Sequence, residues 1–149
     1  MEKSGLTDDH FCFACGRHNP DGLRLRFEYP EPGRCRAEFV PDRKFQGWQG
    51  ILHGGIISTL LDEGFAHAVG GPDRGGGTGA VTAEMTIRFK KSARIGGKLI
   101  LEGRVVGAER RVIQCESVLK DDAGTEIASA TGKLIKLKTT GLEEIRRDK

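Results

Sequence analysis

The stretch GWQGILHGGIISTLLDEG, Gly47 to Gly64, holds most of the residues in this 149-residue chain whose types and spacing could do chemistry. His53-Gly54-Gly55 stands where a helical apolar period begins. The first backbone N–H groups of a helix have no intrahelical partner, and the dipole adds partial positive charge there. With no side chain at Gly54 or Gly55, a carbonyl can approach either amide and have charge on its oxygen stabilised. The same glycines would equally serve a tight turn from loop to helix. Asp62 and Glu63 form an acidic pair in the middle of an otherwise apolar helix, which is costly unless the carboxylates are partnered or used. Glu63 has His67 one turn on, and the spacing suits an ion pair at the emerging end of the helix. Asp62 has Ser58 and Thr59 behind it and Phe65 and Ala66 ahead. Its bland alternative is a carboxylate satisfied by a backbone amide or a hydroxyl.

Gly54 and Asp62 are eight residues apart, hence about 12 Å along one helix axis, too far for both to touch one carbonyl group. One copy of the helix therefore cannot form the site. If two helices pack antiparallel across a two-fold axis, the open end of one lies beside the carboxylate of the other, and two equivalent composite sites result.

The elements that must position these residues separate by periodicity. LRLRFEY alternates from Leu23 to Tyr29, PEPG turns, and RCRAEFV follows with Cys35, Ala37 and Phe39 on one side, which predicts a hairpin. The helix runs from Gly54 to Gly70, with Ile57, Leu60, Leu61, Phe65, Ala68 and Val69 at three- and four-residue steps, and Gly70-Gly71-Pro72 stops it. VTAEMTIRF then alternates strictly, placing Val81, Ala83, Met85, Ile87 and Phe89 on one face and Thr82 with Glu84, Thr86 and Arg88 on the other. KLILEGRVV, RVIQCESVLK and EIASATGKLIKL supply three more strands with short turns between them. In the last, Ala128, Ala130, Gly132 and Leu134 share a face whose small side chains would let the sheet approach closely. The order ββαββββ predicts an α+β class with one antiparallel sheet curled around one helix. Residues 1–149 read as a single domain, with 1–9 and 139–149 as loose tails.

Composition excludes several other classes. Twenty-four Lys+Arg against 21 Asp+Glu give a formal charge of +3, too mild and too dispersed for a nucleic-acid partner. The longest stretch without full charges, Phe45 to Leu61, is shorter than the roughly 20 residues a membrane span needs. The N-terminus has no apolar signal segment and the four cysteines lack the density of a secreted scaffold, so a cytoplasmic location is expected. The glycine cluster Gly75 to Gly79 lacks the GK[ST] ending of a phosphate loop, and neither a GxSxG nor an HExxH motif occurs. His10, Cys12, Cys15 and His18 offer a compact H-x-C-x2-C-x2-H set, unlike the usual ligand pairs split across a longer loop, and no metal is assigned to them. Cys35 and Cys115 fall on apolar strand faces and read as core thiols.

HGGIISTLLDE, with an aspartate nine residues after the histidine, and TAEMTIRFKKSARIGGKL resemble a hotdog-fold acyl-CoA thioesterase of the branch with HGG at the helix start, within the thioesterase superfamily. The likeness covers nearly the whole chain. It implies a curved six-stranded sheet around a central helix, an acyl-CoA substrate, no cofactor, and a homodimer or a tetramer built as a dimer of dimers. By the same resemblance Gly54 N–H polarises the thioester carbonyl and Asp62 of the opposite subunit acts as general base or nucleophile. Thr82 helps hold the water, and His53, Gly55 and Glu63 border the substrate. Lys90, Lys91 and Arg94 are candidate phosphate partners for CoA. Two departures stand out. Relatives often carry Asn or Gln six residues before the histidine, where this chain has Gly47, and the segment FKKSARIGG lacks a common proline. Gly47 is the best argument for a rival reading, a noncatalytic acyl-CoA-binding module. A dehydratase would instead rely on His67 with Glu63.

Overall fold

Residues 6–72 and 79–137 are described by the structure, a computed structural model. Residues 1–5 and 139–149 of the expected tails, and all of the glycine cluster but Gly79, lie outside the described residues. The elements are β1 (Phe27–Glu28), β2 (Arg34–Phe39), a 3-10 turn (Arg43–Phe45), α1 (Gly54–Gly70), β3 (Ala80–Phe89), β4 (Leu99–Glu109), β5 (Val112–Asp121) and β6 (Glu126–Lys136). The six strands form one antiparallel sheet in the order β1-β2-β4-β5-β6-β3. Because α1 touches β2, β3, β4, β5 and β6, the sheet must curl around it.

The helix forms where the three- and four-residue apolar period begins and ends at Gly71, whose φ of 61° lets its N–H reach the His67 carbonyl at 2.9 Å. Leu60, Leu61 and Phe65 are fully enclosed, against Leu101, Leu119, Ala128 and Leu134 of the sheet. Burial of each such Leu or Phe side chain contributes roughly 1.5–3 kcal/mol. The closest crossing is at Gly64 and Gly103: a Cβ on Gly103 would sit 2.2 Å from the Gly64 carbonyl oxygen. The small face of β6 works the same way, since a Cβ on Gly132 would lie 2.5 Å from the Phe65 ring.

Two expectations about strands need correction. Of the alternating run Leu23 to Tyr29, only Phe27–Glu28 pairs with β2; Leu23 and Leu25 are buried, but their N–H groups donate to the carbonyls of Phe13 and Ala14 in the N-terminal segment. Alternation records which side faces the core, and a loop can satisfy it as well as a strand. In β3 the period is broken between Thr82 and Glu84 by a bulge at Ala83. Thr82 pairs with Leu134, while Met85, Ile87 and Phe89 pair with Gly132, Ala130 and Ala128, all on the inward face of β6. The extra residue shifts parity, so Thr82 shares the helix-facing side with Met85, Ile87 and Phe89 instead of lying with Glu84, Thr86 and Arg88.

Among the described residues β3 pairs only with β6, leaving its other edge open. No described helix is long and apolar enough to cross a membrane.

Candidate active site

The loop before α1 is tied down by its backbone. Gly47 N–H donates to Ile51 O, Leu52 N–H to Ala93 O and His53 N–H to Phe45 O, and Ile51 bridges Arg94. Gln46 Oε1 accepts from Gly50 N–H at 2.9 Å, so this glutamine fixes the turn. These bonds deliver His53 as the N-cap of α1 in extended conformation, φ −62° and ψ 134°. Its Nδ1 accepts from Gly55 N–H at 2.8 Å. That bond occupies the Gly55 amide, and the first-turn amides of Ile56 and Ile57 both go to the His53 carbonyl. Gly54 N–H meets no acceptor among the described residues, and Gly54 is exposed. Of the two amides considered from sequence, Gly54 is the one open to a ligand.

Thr82 Oγ1 donates to Asp62 Oδ1 at 2.6 Å, with Thr82 exposed and Asp62 half-buried. The bulge at Ala83 makes this contact possible by turning Thr82 toward the helix. One carboxylate oxygen is thereby oriented. The ring of Phe89, at the far end of β3, lies over Gly54: a Cβ there would be 3.7 Å from its Cε1. The strand thus runs from the carboxylate to the open amide, bordering both.

Glu63 is not brought to this pair. One residue is about 100° around a helix, and Glu63 is buried, 7% exposed, on a different side of α1. A carboxylate only accepts, so His67 Nε2–H donates to Glu63 Oε2 at 3.1 Å, and the Tyr29 hydroxyl donates to His67 Nδ1 at 2.7 Å. Phe27 stacks on His67, with centroids 3.8 Å apart. The predicted Glu63–His67 pair forms, but enclosed, not at an emerging end. Both imidazole nitrogens are engaged there, which leaves the dehydratase reading no proton-transfer group facing a substrate.

Lys90 is exposed and ion-paired with Glu126; Lys91 and Arg94 are exposed, Arg94 beside the loop through its bridge to Ile51. Lys90 and Lys91 directly follow Phe89, whose ring lies over Gly54, so all three cations belong to backbone at that end of the site and not at the Asp62 end of β3. Trp48, 84% exposed, lines the shallow pocket at the helix start with Gly47, Ile51, Leu52, His53 and Gly54. Its only sequence signal is to be the chain's single tryptophan, five residues before His53. One turn beyond Asp62, a second cavity opens between the N-terminal segment, α1 and β3, with Phe11, Cys12, Ala66, Val69, Val81 and Leu134 in its lining. Burial pushes the thiol of Cys35 up to about 12 and that of Cys115 to about 11, so both are neutral core groups, as their strand faces suggested.

Known proteins resemble this chain in sequence and in fold. A protein of Saccharolobus solfataricus whose name ties it to the esterases is 29% identical over 121 residues, covering 81% of this chain and 79% of its own. Acyl-coenzyme A thioesterase THEM4 of Bos taurus is 29% identical over 121 residues, covering 78% of this chain and 48% of the bovine protein. The structure of smu.793 from Streptococcus mutans, bound to acetyl CoA, superposes with a TM-score of 0.68 at 24% identity over 76% of this chain and 89% of that one. The one-helix, six-stranded architecture is thus the hotdog fold. The family model that describes the thioesterase superfamily matches residues 49–128, a span that takes in Gly54, Asp62 and Thr82, and the chain belongs to that superfamily.

Proposed function

We propose that the chain is an acyl-CoA thioesterase that hydrolyses an acyl-CoA thioester to a carboxylic acid and free CoA, acting in the cytoplasm as a homodimer or a dimer of dimers. The observation that carries this reading is the Thr82–Asp62 bond on the helix face, combined with the open Gly54 amide at the start of the same helix. About 12 Å separates the two along the axis, so a single chain cannot apply both to one carbonyl. The unpaired edge of β3 supports a second copy in that place: a ten-residue strand with free N–H and C=O groups is a template for pairing, and this one borders both halves of the site.

In the resulting composite site the Gly54 amide of one subunit and the helix dipole behind it stabilise the charge developing on the thioester oxygen. Asp62 of the other subunit either takes a proton from the attacking water or attacks the carbonyl itself, with Thr82 fixing its orientation. His53 caps the helix through Gly55 and thereby keeps the Gly54 amide aimed outward. Lys91 and Arg94 at the Gly54 end supply positive charge for the CoA phosphates, and Lys90 would join them by giving up Glu126. The cavity one turn beyond Asp62 suits the acyl group. The acetyl CoA held by the Streptococcus mutans neighbour and the name of the bovine relative agree in substrate class.

A panel of short, long and aromatic acyl-CoAs, scored by release of free thiol from the purified chain, tests the reading. Turnover with at least one class supports it. Tight binding of every class with no thiol released would leave the noncatalytic module, for which Gly47 speaks.

A further inference from the structure

We propose that Cys12, Cys15 and Glu63 form a binding site for a thiophilic divalent cation, zinc foremost, where the N-terminal segment meets α1. The compact four-ligand set visible in the sequence does not assemble: His10 and His18 are exposed and meet each other edge-on, with ring centroids 5.6 Å apart. The cysteines instead turn toward the helix. One ligand atom from each of Cys12, Cys15 and Glu63 lies within 4.8 Å of the other two, with the cysteines half-buried and the carboxylate buried. In a tetrahedral zinc site, bonds of about 2.3 Å to sulfur and 2.0 Å to oxygen put neighbouring ligands about 3.5 to 3.8 Å apart. The observed spacing is somewhat wider, so binding would draw the three side chains together.

Two further features are those of a built site. The Cys-x-x-Cys-Gly turn is held by Gly16 N–H donating to Cys12 O at 2.8 Å, and a Cβ on Gly16 would stand 2.4 Å from Cys12 N, so only glycine lets the two sulfurs come round to one side. Behind the carboxylate, His67 and Tyr29 form the hydrogen-bonded chain described above, which is the outer support that orients a ligating carboxylate. Two thiolates and one carboxylate suit zinc better than a hard cation such as magnesium. On binding, the two thiols release their protons to solvent and sulfur–metal bonds replace the S–H bonds, while water takes the fourth corner. The site would pin the N-terminal segment to α1 at the residue next to Asp62. Cys12 also lines the cavity proposed for the acyl group, but the argument for the site does not rest on hydrolysis, and its test does not read activity.

The test is a titration of the full-length chain, reduced and freed of metal, with cobalt(II) as the spectroscopic probe. One cobalt per chain is expected, with a sulfur-to-metal charge-transfer band that zinc abolishes. Cys12→Ser and Cys15→Ser should each remove the band. Glu63→Gln should weaken binding about tenfold or more, and His67→Gln, acting through Glu63, by roughly 10- to 100-fold. The double variant His10→Ala/His18→Ala should bind as the parent does. Absence of the band in the parent chain, its survival in either cysteine variant, or its loss in the histidine variant would overturn the proposal. Unchanged affinity in a folded Glu63→Gln chain would do the same. If that variant fails to fold, the melting temperature decides: zinc should raise it in the parent and not in Cys12→Ser, and equal shifts in both would refute the site.

Discussion

The Thr82 hydroxyl donates to the Asp62 carboxylate across 2.6 Å, joining the start of β3 to the middle of α1. A serviceable carboxylate needs such an orienting bond, because a freely rotating one spends much of its time aimed elsewhere. Asp62→Asn keeps the shape and removes the charge, so thiol release from acyl-CoA should fall by about 10²- to 10⁴-fold with the melting temperature little changed. Thr82→Val keeps the volume and removes the donor, and roughly a tenfold loss is expected. Wild-type turnover in Asp62→Asn would remove this residue from the mechanism.

The open amide can be tested without disturbing the helix. Gly54 is the first residue of α1, a position proline favours, and extended His53 is already compatible with a following proline. Gly54→Pro should fold normally, lose its N–H, and drop in kcat by about 10²- to 10³-fold. Mixing Gly54→Pro with Asp62→Asn chains gives heterodimers with one intact composite site, so statistical exchange should restore about a quarter of parent activity. Confirmed subunit exchange with no recovery would refute the shared site.

Packing at the helix–sheet crossing makes a stability prediction. Gly103→Ala would drive a methyl group into the Gly64 carbonyl, and a loss of about 1–3 kcal/mol or more is expected in denaturant unfolding. Ser117 sits at the same crossing with a buried hydroxyl that has no hydrogen-bond partner among the described residues, so Ser117→Ala should be neutral or stabilising. The two substitutions should move the unfolding midpoint in different directions, or Ser117→Ala not at all.

Cys35 and Cys115 set an alkaline limit. Their folded values, about 12 and about 11, lie above the ordinary 9.0, so the folded state keeps protons that the unfolded chain gives up. Their contribution is complete below pH 9 and is lost as pH rises from there through the folded values. Melting temperature should therefore decline above pH 9, and less steeply in Cys115→Ala. In the folded, metal-free chain at pH 8, iodoacetamide should label the half-buried Cys12 and Cys15 well before the buried Cys35 and Cys115.

The local part of this protein was legible in its residues. The bounds of α1 follow from a period of three and four closed by Gly70-Gly71, and the strands after it from alternation between turn signals. The buried small face of β6 could be read from Ala128, Ala130 and Gly132. Both ends of the proposed site, Gly54 and Asp62, could also be named, because an unsatisfied helix end and a mid-helix carboxylate each show their cost within a few neighbouring residues.

What only the tertiary structure decided were the partners. Which face Thr82 takes depends on one extra residue in β3, and a bulge is defined by the strand opposite, not by its own sequence. Glu63 and the two N-terminal cysteines are some fifty residues apart and meet only because the N-terminal segment packs along α1. Likewise, that His53 takes the Gly55 amide and leaves Gly54's open is a matter of how one ring is held. Period and turn chemistry act between near neighbours along the chain, whereas register, facing and the meeting of distant side chains arise only when the sheet closes on the helix.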